Sequence, residues 1–167
     1  MINNPELWDV LDKDGNLTGR TIERGRPLKE GEYHLVVHIW IRNSKGEYLI
    51  QKRSSMVDVW PDIWSVAGGS AVKGENSLDA AFREVKEELG LTFERDAFKR
   101  LYRTRFKSVF SDLWLVCRDV SLKDIRIQKE EVSEVRYAGI EEIVSMIKRN
   151  EFIDFGEDYI SYLADVL

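Results

Sequence analysis

Three glutamates, Glu84, Glu87 and Glu88, stand close together in the segment GGSAVKGENSLDAAFREVKEELGL, residues 68–91. A helix turns by about 100° per residue, so their positions at i, i+3 and i+4 bring the carboxylates to one sector. Like charges placed in this way destabilise an exposed helix by roughly 0.2–0.5 kcal/mol per pair. A hard divalent cation, Mg²⁺ or Mn²⁺, would replace that repulsion by ligation. The spacing therefore predicts a metal site.

The helix that must carry these carboxylates is the clearest element of the sequence. Asn76 or Ser77 can cap its first amides, and Gly90 offers a stop. Apolar residues recur at a spacing of about 3.6 and predict one buried stripe: Leu78, Ala81, Phe82, Val85 and Leu89. The glutamates lie beside that stripe, at the edge of the surface that packs on the core.

Residues outside the three glutamates extend the pattern. In order, the segment has Gly69, five residues, Glu75, seven residues, Arg83-Glu84, two residues, Glu87-Glu88, one residue and Gly90. This spacing matches the Nudix box without a departure, so residues 69–91 resemble the Nudix hydrolase family. We expect Gly69 to permit a tight turn whose carbonyl faces a metal. We expect Arg83 to orient a carboxylate through a charge-assisted hydrogen bond.

The resemblance implies an α/β/α sandwich of the α+β type, built on a mixed sheet. It also implies a hydrolase that uses Mg²⁺ or Mn²⁺ to cleave a small-molecule diphosphate, here a nucleoside diphosphate derivative or a nucleotide, by attack of water on phosphorus. Carried over by position, the metal ligands are Glu84, Glu87, Glu88 and the carbonyl of Gly69, and the catalytic residues are Glu84, Glu87 and Arg83. The general base varies among members of the family, and five residues stay open here: Glu87, Glu130, Glu131, Glu134 and Asp112.

A wider likeness, from residue 9 to 91, is to the isopentenyl-diphosphate-isomerase-like branch of the superfamily. DVLDKDGNLTG, His34, YLIQKRS and WPDIW carry it, in that order. It raises isomerisation of a prenyl diphosphate as an alternative. The isomerases have a cysteine before the opening glycine, a histidine after it and usually a tyrosine in the helix, where this chain has Gly68, Ser70 and Glu87. We therefore expect a hydrolase, with a non-catalytic module that binds a nucleotide ligand as a further alternative.

Four residues outside the box are candidate substrate contacts. Arg53 and Lys52 could bind phosphate oxygens as a planar fork and a point charge respectively. Trp60 could present its ring to a nucleobase, whereas Trp64 is expected in the core. His34 aligns with an isomerase histidine, although an isolated strand histidine is more often structural.

The remaining segments predict one domain over residues 1–167. Asp-Gly in DKDGN predicts an N-terminal β-hairpin within residues 1–30, and HLVVHIWIRN alternates with period 2 over two apolar faces, as in a sheet covered on both sides. Further strands are predicted in GEYLIQKRS, AFKRLYRTRF, DLWLVCRDV and SEVRYAGI, and two helices, IEEIVSMIKRN and EDYISYLADVL, within residues 140–167.

Charge and composition exclude several classes of function. A net charge of −5 gives no general footprint for nucleic acid, so we expect no stable nucleic-acid complex. The sequence has neither the pattern of a signal peptide nor an apolar run that could span a bilayer, so we expect a cytoplasmic protein without a membrane partner. Cys117, the single cysteine, is expected as a small buried hydrophobe. Homodimers are common in the family that the chain resembles.

Overall fold

The computed structural model describes residues 5–156, 159, 161 and 162. A two-stranded hairpin comes first, with β1 (Leu7–Leu11) and β2 (Leu17–Glu23). Seven strands form the main sheet of this part of the chain: β3 (His34–Arg42), β4 (Tyr48–Arg53), β5 (Trp64–Ser65), β6 (Ala67–Ser70), β7 (Phe98–Phe106), β8 (Val109–Cys117) and β9 (Val132–Ala138). The α-helices are α1 (Ser77–Leu89) and α2 (Ile140–Lys148), and short 3₁₀ turns occupy Arg95–Ala97 and Leu122–Asp124.

The main sheet is mixed. Its order is β5-β4-β3-β8-β7, with β6 paired to β3 and β9 paired to β4. β3 and β8 run parallel over their full lengths, and the other pairs are antiparallel. Because β3 has β4 and β6 along one edge and β8 along the other, it is the central strand that positions its neighbours.

Side chains on the two faces of the sheet form two separate cores. Val37 and Ile39 of β3 pack with Ala81, Val85 and Leu89 of α1. Trp40 of β3 faces the other way and packs with Ile143 and Met146 of α2. The predicted sandwich of a mixed sheet between helices is thus confirmed, and the alternation of β3 arises because each of its faces meets a helix.

The helix α1 begins and ends where the sequence predicts. The side chain of Asn76 accepts hydrogen bonds from the amides of Leu78 and Asp79, and Gly90 ends the helix at φ 67°, a conformation that glycine adopts without strain. Ser77 lies inside the helix and accepts a hydrogen bond from the indole of Trp114 at 2.9 Å. The predicted stripe packs on the core, although Leu78 and Phe82 are only partly buried.

The predicted N-terminal hairpin is confirmed, and the body of the protein holds it in place. Leu11 pairs with Tyr33 next to β3, the amide of Lys73 donates to the carbonyl of Leu7 at 2.7 Å, and the amide of Gly74 donates to Asp9 at 2.6 Å. The hairpin therefore reaches the loop between β6 and α1, inside the box.

The expectations for Cys117, for the short strands and for the C-terminal helix have different outcomes. The burial expected for Cys117 is wrong: it is exposed, because it is the last residue of β8 and lies where the strand leaves the core. The strands β5 and β6 were not predicted, since both are short and β6 is rich in glycine. The helix predicted in EDYISYLADVL falls mostly outside the described residues. Among those residues, no helix has the length and hydropathy of a bilayer span.

Candidate active site

A cleft of about 230 Å³ opens between β6, α1 and the loop that follows β4. The box residues Gly69, Arg83, Glu84 and Glu87 line it. A larger cavity of about 450 Å³, between the hairpin, the start of α1 and β7, is lined by Glu75 but by none of the three glutamates of the predicted metal site. The smaller cleft is therefore the candidate active site.

Three glutamates form the acidic wall of the candidate site: Glu84, Glu87 and Glu88. Arg83 binds two of them. Its Nε and Nη2 donate to the two oxygens of Glu75 at 2.7 and 3.0 Å, and its Nη1 donates to Glu84 and Glu87, both at 2.9 Å. Nη2 also donates to the carbonyl of Ser70 at 3.0 Å. The hydrogen bond to Glu75, the charge of Glu84 and the hydrogen bond to Glu87 raise the pKa of Arg83 against the opposing effect of burial, so Arg83 stays charged. The predicted contact between Arg83 and a carboxylate is present, and it extends to three of them.

Gly69 lies against Glu84 within a strand. The predicted tight turn is wrong, because Gly69 belongs to β6 and pairs with Val37 of β3. A Cβ atom at this position would lie 2.4 Å from Oε1 of Glu84. The glycine is thus required for close approach of the strand to the carboxylate, and its backbone lies beside the predicted ligands.

Glu88 is the most enclosed of the three glutamates, with 2% of its surface exposed. Its Oε2 accepts hydrogen bonds from the amide of Gly68 and from Nε2 of Gln51, both at 2.9 Å. Burial raises the pKa of Glu88 to about 8, and the nearby charge of Glu84 acts in the same direction. Burial also raises the pKa of Glu84 to about 7, against the opposing effect of Arg83. A cation at this wall would stabilise the charged forms of both carboxylates.

The donor set suits a hard divalent cation in its chemistry. Carboxylate oxygens and a backbone carbonyl are the ligands that Mg²⁺ and Mn²⁺ prefer. Among the described residues, however, no group of three or more His, Cys, Asp or Glu forms a ready-made metal cluster. Arg83 holds Glu84 and Glu87, whereas Gly68 and Gln51 hold Glu88. The positive charge and these hydrogen bonds offset the mutual repulsion of the carboxylates.

The candidate general bases outside the box differ in their position relative to the cleft. Glu131 lines the cleft and raises the pKa of both Glu84 and Glu88 through its charge. Glu130 is exposed outside that lining, and Glu134 lies on β9 opposite Lys52 of β4.

Asp112 occupies a different environment. It is fully buried, and Arg103 donates to both its oxygens at 2.5 and 2.7 Å. Arg103 lines the larger cavity and not the cleft. The buried contact between Arg103 and Asp112 is therefore a structural ion pair outside the candidate active site.

Two of the four candidate substrate contacts line the cleft, and two do not. Arg53 and Trp60 line the cleft, and Nε of Arg53 donates to the carbonyl of Val59 at 3.0 Å. Trp60 is 59% exposed, so its ring is available at the rim. Lys52 and His34 are not part of the lining.

His34 and Trp64 have structural surroundings. The His34 ring stacks on Trp8 with centroids 4.1 Å apart, and burial lowers the pKa of His34 to about 4. Trp64 packs partly buried against the core on the α2 side, as expected.

Two residues of the site were missed in the sequence. His38 lines the cleft and contacts Ser111 Oγ through Nδ1 at 3.0 Å, and burial lowers the pKa of His38 to about 4. Gln51 contacts Glu88. A signal for Gln51 was present, because alternation places it with Leu49 on a buried face of β4, where a polar residue needs a partner.

Comparisons with known proteins agree with the box. The model of the NUDIX domain matches residues 32–157. The chain is 43% identical over 151 residues to an uncharacterized Nudix hydrolase of Listeria monocytogenes, covering 90% of this chain and 89% of that protein. It is 27% identical over 95 residues to an isopentenyl-diphosphate Delta-isomerase of Corynebacterium diphtheriae, covering 56% and 52% respectively. A Deinococcus radiodurans crystal structure shares the fold, with a TM-score of 0.77, 23% identity and coverage of 93% and 98%.

Proposed function

This chain belongs to the Nudix hydrolase family, and we propose that it uses Mg²⁺ or Mn²⁺ to cleave the diphosphate linkage of a nucleoside diphosphate derivative or a nucleotide. One observation carries the proposal: the box residues Gly69, Glu84 and Glu87 line the same cleft as Arg53 and Trp60. The cleft thus combines carboxylates that suit a cation with groups that suit a phosphate and an aromatic moiety.

The position of each box residue indicates its role in the proposed reaction. Glu84, Glu87, Glu88 and the carbonyl of Gly69 would hold the cation, which when bound supplies Lewis-acid stabilisation of the diphosphate and activation of water. Arg83 keeps Glu84 and Glu87 in place through its hydrogen bonds.

Two other residues of the cleft lining, one cationic and one aromatic, suit the substrate. Arg53 would bind phosphate oxygens, since a guanidinium matches their geometry with paired donors. Trp60 would stack on the moiety attached to the diphosphate. Glu131 would accept the proton of the attacking water, because it lines the cleft and lies outside the carboxylate set bound by Arg83.

The isomerase alternative requires a thiol at the reacting carbon, and the position of Cys117 does not supply one. Cys117 lies at the end of β8, where it lines a separate surface pocket with Arg42, Ser44 and Asp119. No box residue lines that pocket. Hydrolysis therefore fits the described residues better than protonation of an alkene.

The test is product analysis with nucleoside triphosphates, nucleoside diphosphates, dinucleotides, nucleotide sugars and isopentenyl diphosphate, each with Mg²⁺ or Mn²⁺. We expect cation-dependent hydrolysis of at least one nucleotide substrate, reduced by at least about tenfold in Glu87→Gln, which loses a ligand charge. The exposed Glu94→Gln is the matched control. Conversion of isopentenyl diphosphate without phosphate release would establish the isomerase, and binding without turnover would establish a binding module.

A further inference from the structure

Gln51 is a buried polar residue that the box pattern does not explain. It lies on β4 with 2% of its surface exposed, and its Nε2 donates to Oε2 of Glu88 at 2.9 Å. The amide of Gly68 donates to the same oxygen, also at 2.9 Å. Two donors from two strands thus fix Oε2 of Glu88, and Oε1 is the oxygen that they leave free for another partner.

The other end of the Gln51 carboxamide is unsatisfied. Its Oε1 is buried and has no hydrogen-bond partner among the described residues. A buried unpaired acceptor destabilises a fold, whereas an apolar side chain of similar shape avoids that penalty. Reversing the carboxamide would bring two oxygens together at Glu88, so the unsatisfied oxygen is a consequence of keeping the donor there. This arrangement points to a role connected with Glu88.

The backbone that carries Gln51 is held on both sides. Gln51 is paired with Ser65 of β5 and with Val135 of β9, so β4 has a strand on each edge at this residue. A donor on such a strand is presented at a fixed position, and partners of this kind orient ligating carboxylates. α1 supplies Glu88, and the sheet determines where its carboxylate lies.

We propose that Gln51 is a positioning residue of the metal site, which holds the Glu88 carboxylate in the orientation that a divalent cation requires. The inference rests on the proposed function, since Glu88 must be a ligand. Gln51 itself touches neither the cation nor the substrate, so its effect passes through Glu88.

The experiment measures binding of Mn²⁺ to the metal-free protein by electron paramagnetic resonance of the free ion. Gln51→Met keeps the length of the side chain and removes the donor, and we expect the Kd for Mn²⁺ to rise by about 10- to 100-fold. Gln51→Asn keeps the amide but shortens its reach, and we expect a rise in the same direction. Thermal unfolding of both variants establishes that they are folded.

A double-mutant cycle separates positioning from a general structural role. In the Glu88→Gln background, we expect Gln51→Met to weaken Mn²⁺ binding no further, because the two residues act as one unit. Tyr48→Phe is the matched control, since it removes a polar atom from another buried side chain of β4 that faces the opposite core. We expect wild-type affinity for it.

Three results would overturn the proposal. Wild-type Mn²⁺ affinity in folded Gln51→Met and Gln51→Asn would remove the positioning role and leave the proposed function intact. Additive losses in the cycle would show that Gln51 does not act through Glu88. A wild-type protein that binds no Mn²⁺ would contradict the metal site itself, and both proposals with it.

Discussion

At the scale of single residues, the guanidinium of Arg83 holds neighbouring carboxylates of the site in place. Arg83 donates to Glu75, Glu84 and Glu87, so it offsets repulsion that would otherwise oppose the close placement of these carboxylates. Glu88 is shielded differently, by burial and by neutral donors. Glu131 belongs to neither arrangement, although it lines the same cleft.

We predict that Glu131→Gln lowers kcat by about 10²- to 10⁴-fold, the usual effect of removing a general base. The change keeps the size of the side chain and leaves the carboxylates bound by Arg83 in place, so Mn²⁺ affinity should change little. Steady-state kinetics with the substrate found in the panel, together with Mn²⁺ binding, measure the two effects.

The neighbouring Glu130 supplies the control for this prediction. It is exposed and is not part of the cleft lining, so Glu130→Gln should keep wild-type kcat. Equal losses in the two variants, or a loss confined to Glu130→Gln, would contradict the assignment of the base to Glu131.

At the scale of secondary-structure elements, the site depends on how closely β6 approaches α1. β6 is paired to β3, and α1 packs on the same strand through its apolar stripe. The distance between the glycine strand and the glutamate helix is therefore set by the core, and Gly69 makes that distance sterically acceptable.

We predict that Gly69→Ala disturbs the site more than the fold. The added Cβ would meet the end of the Glu84 side chain, 2.4 Å from Oε1, and a flexible carboxylate can move aside. Mn²⁺ affinity and kcat should therefore fall by at least about tenfold, as expected when a ligating side chain loses its orientation, while Tm changes by only a few degrees. Mn²⁺ titration and thermal unfolding measure the two quantities.

Gly68→Ala provides the contrast. There the Cβ would lie 2.2 Å from the backbone carbonyl oxygen of Val37, which cannot move without breaking the pairing of β3 with β6. We expect a clear loss of Tm in this variant. A Gly69→Ala protein with wild-type Mn²⁺ affinity would argue against close contact between Gly69 and Glu84.

At the scale of the whole molecule, the two helical layers give the two faces of the sheet different chemistry. The α1 face carries the glutamates next to its core, whereas the α2 face carries His38, whose ring packs against Phe155 and Tyr159. Burial of this histidine couples the stability of the fold to pH.

We predict that the contribution of His38 to stability is lost as the pH falls from 6.5 towards 4. The pKa of His38 is about 4 in the folded state and 6.5 without burial, so its contribution is complete above pH 6.5 and is lost as protons bind to the unfolded chain first. The loss amounts to at most about 3 kcal/mol. Chemical unfolding of the wild type and of His38→Gln at pH 4.5 and pH 7.5 measures it, and the stability of the wild type relative to His38→Gln should be lower at pH 4.5.

Other buried groups contribute to the pH dependence of stability, and their contributions have both signs. Burial also lowers the pKa of His34, with a further effect from Arg24, whereas the raised pKa values of Glu84 and Glu88 favour the folded state at low pH. The difference in stability between the wild type and His38→Gln therefore isolates His38. A stability difference between the wild type and His38→Gln that does not change with pH would mean that His38 is accessible to protons in the folded state.

The sequence by itself determined the features that depend on local spacing. The period of α1, its cap at Asn76 and its end at Gly90 follow from interactions within a few residues, and so does the placement of Glu84, Glu87 and Glu88 on one helix. The hairpin and the long strands follow from turn chemistry and alternation, and the box spacing indicated the family, which the comparisons confirm.

Only the tertiary structure decided which distant residues meet. Glu131, Arg53 and His38 come from three separate segments, and their common cleft arises from pairing across β3, β4 and β9. Spacing along the chain carries no signal for such contacts, because they depend on strand order. For the same reason, the burial of Asp112, the exposure of Cys117 and the contact between Gln51 and Glu88 required the packed sheet.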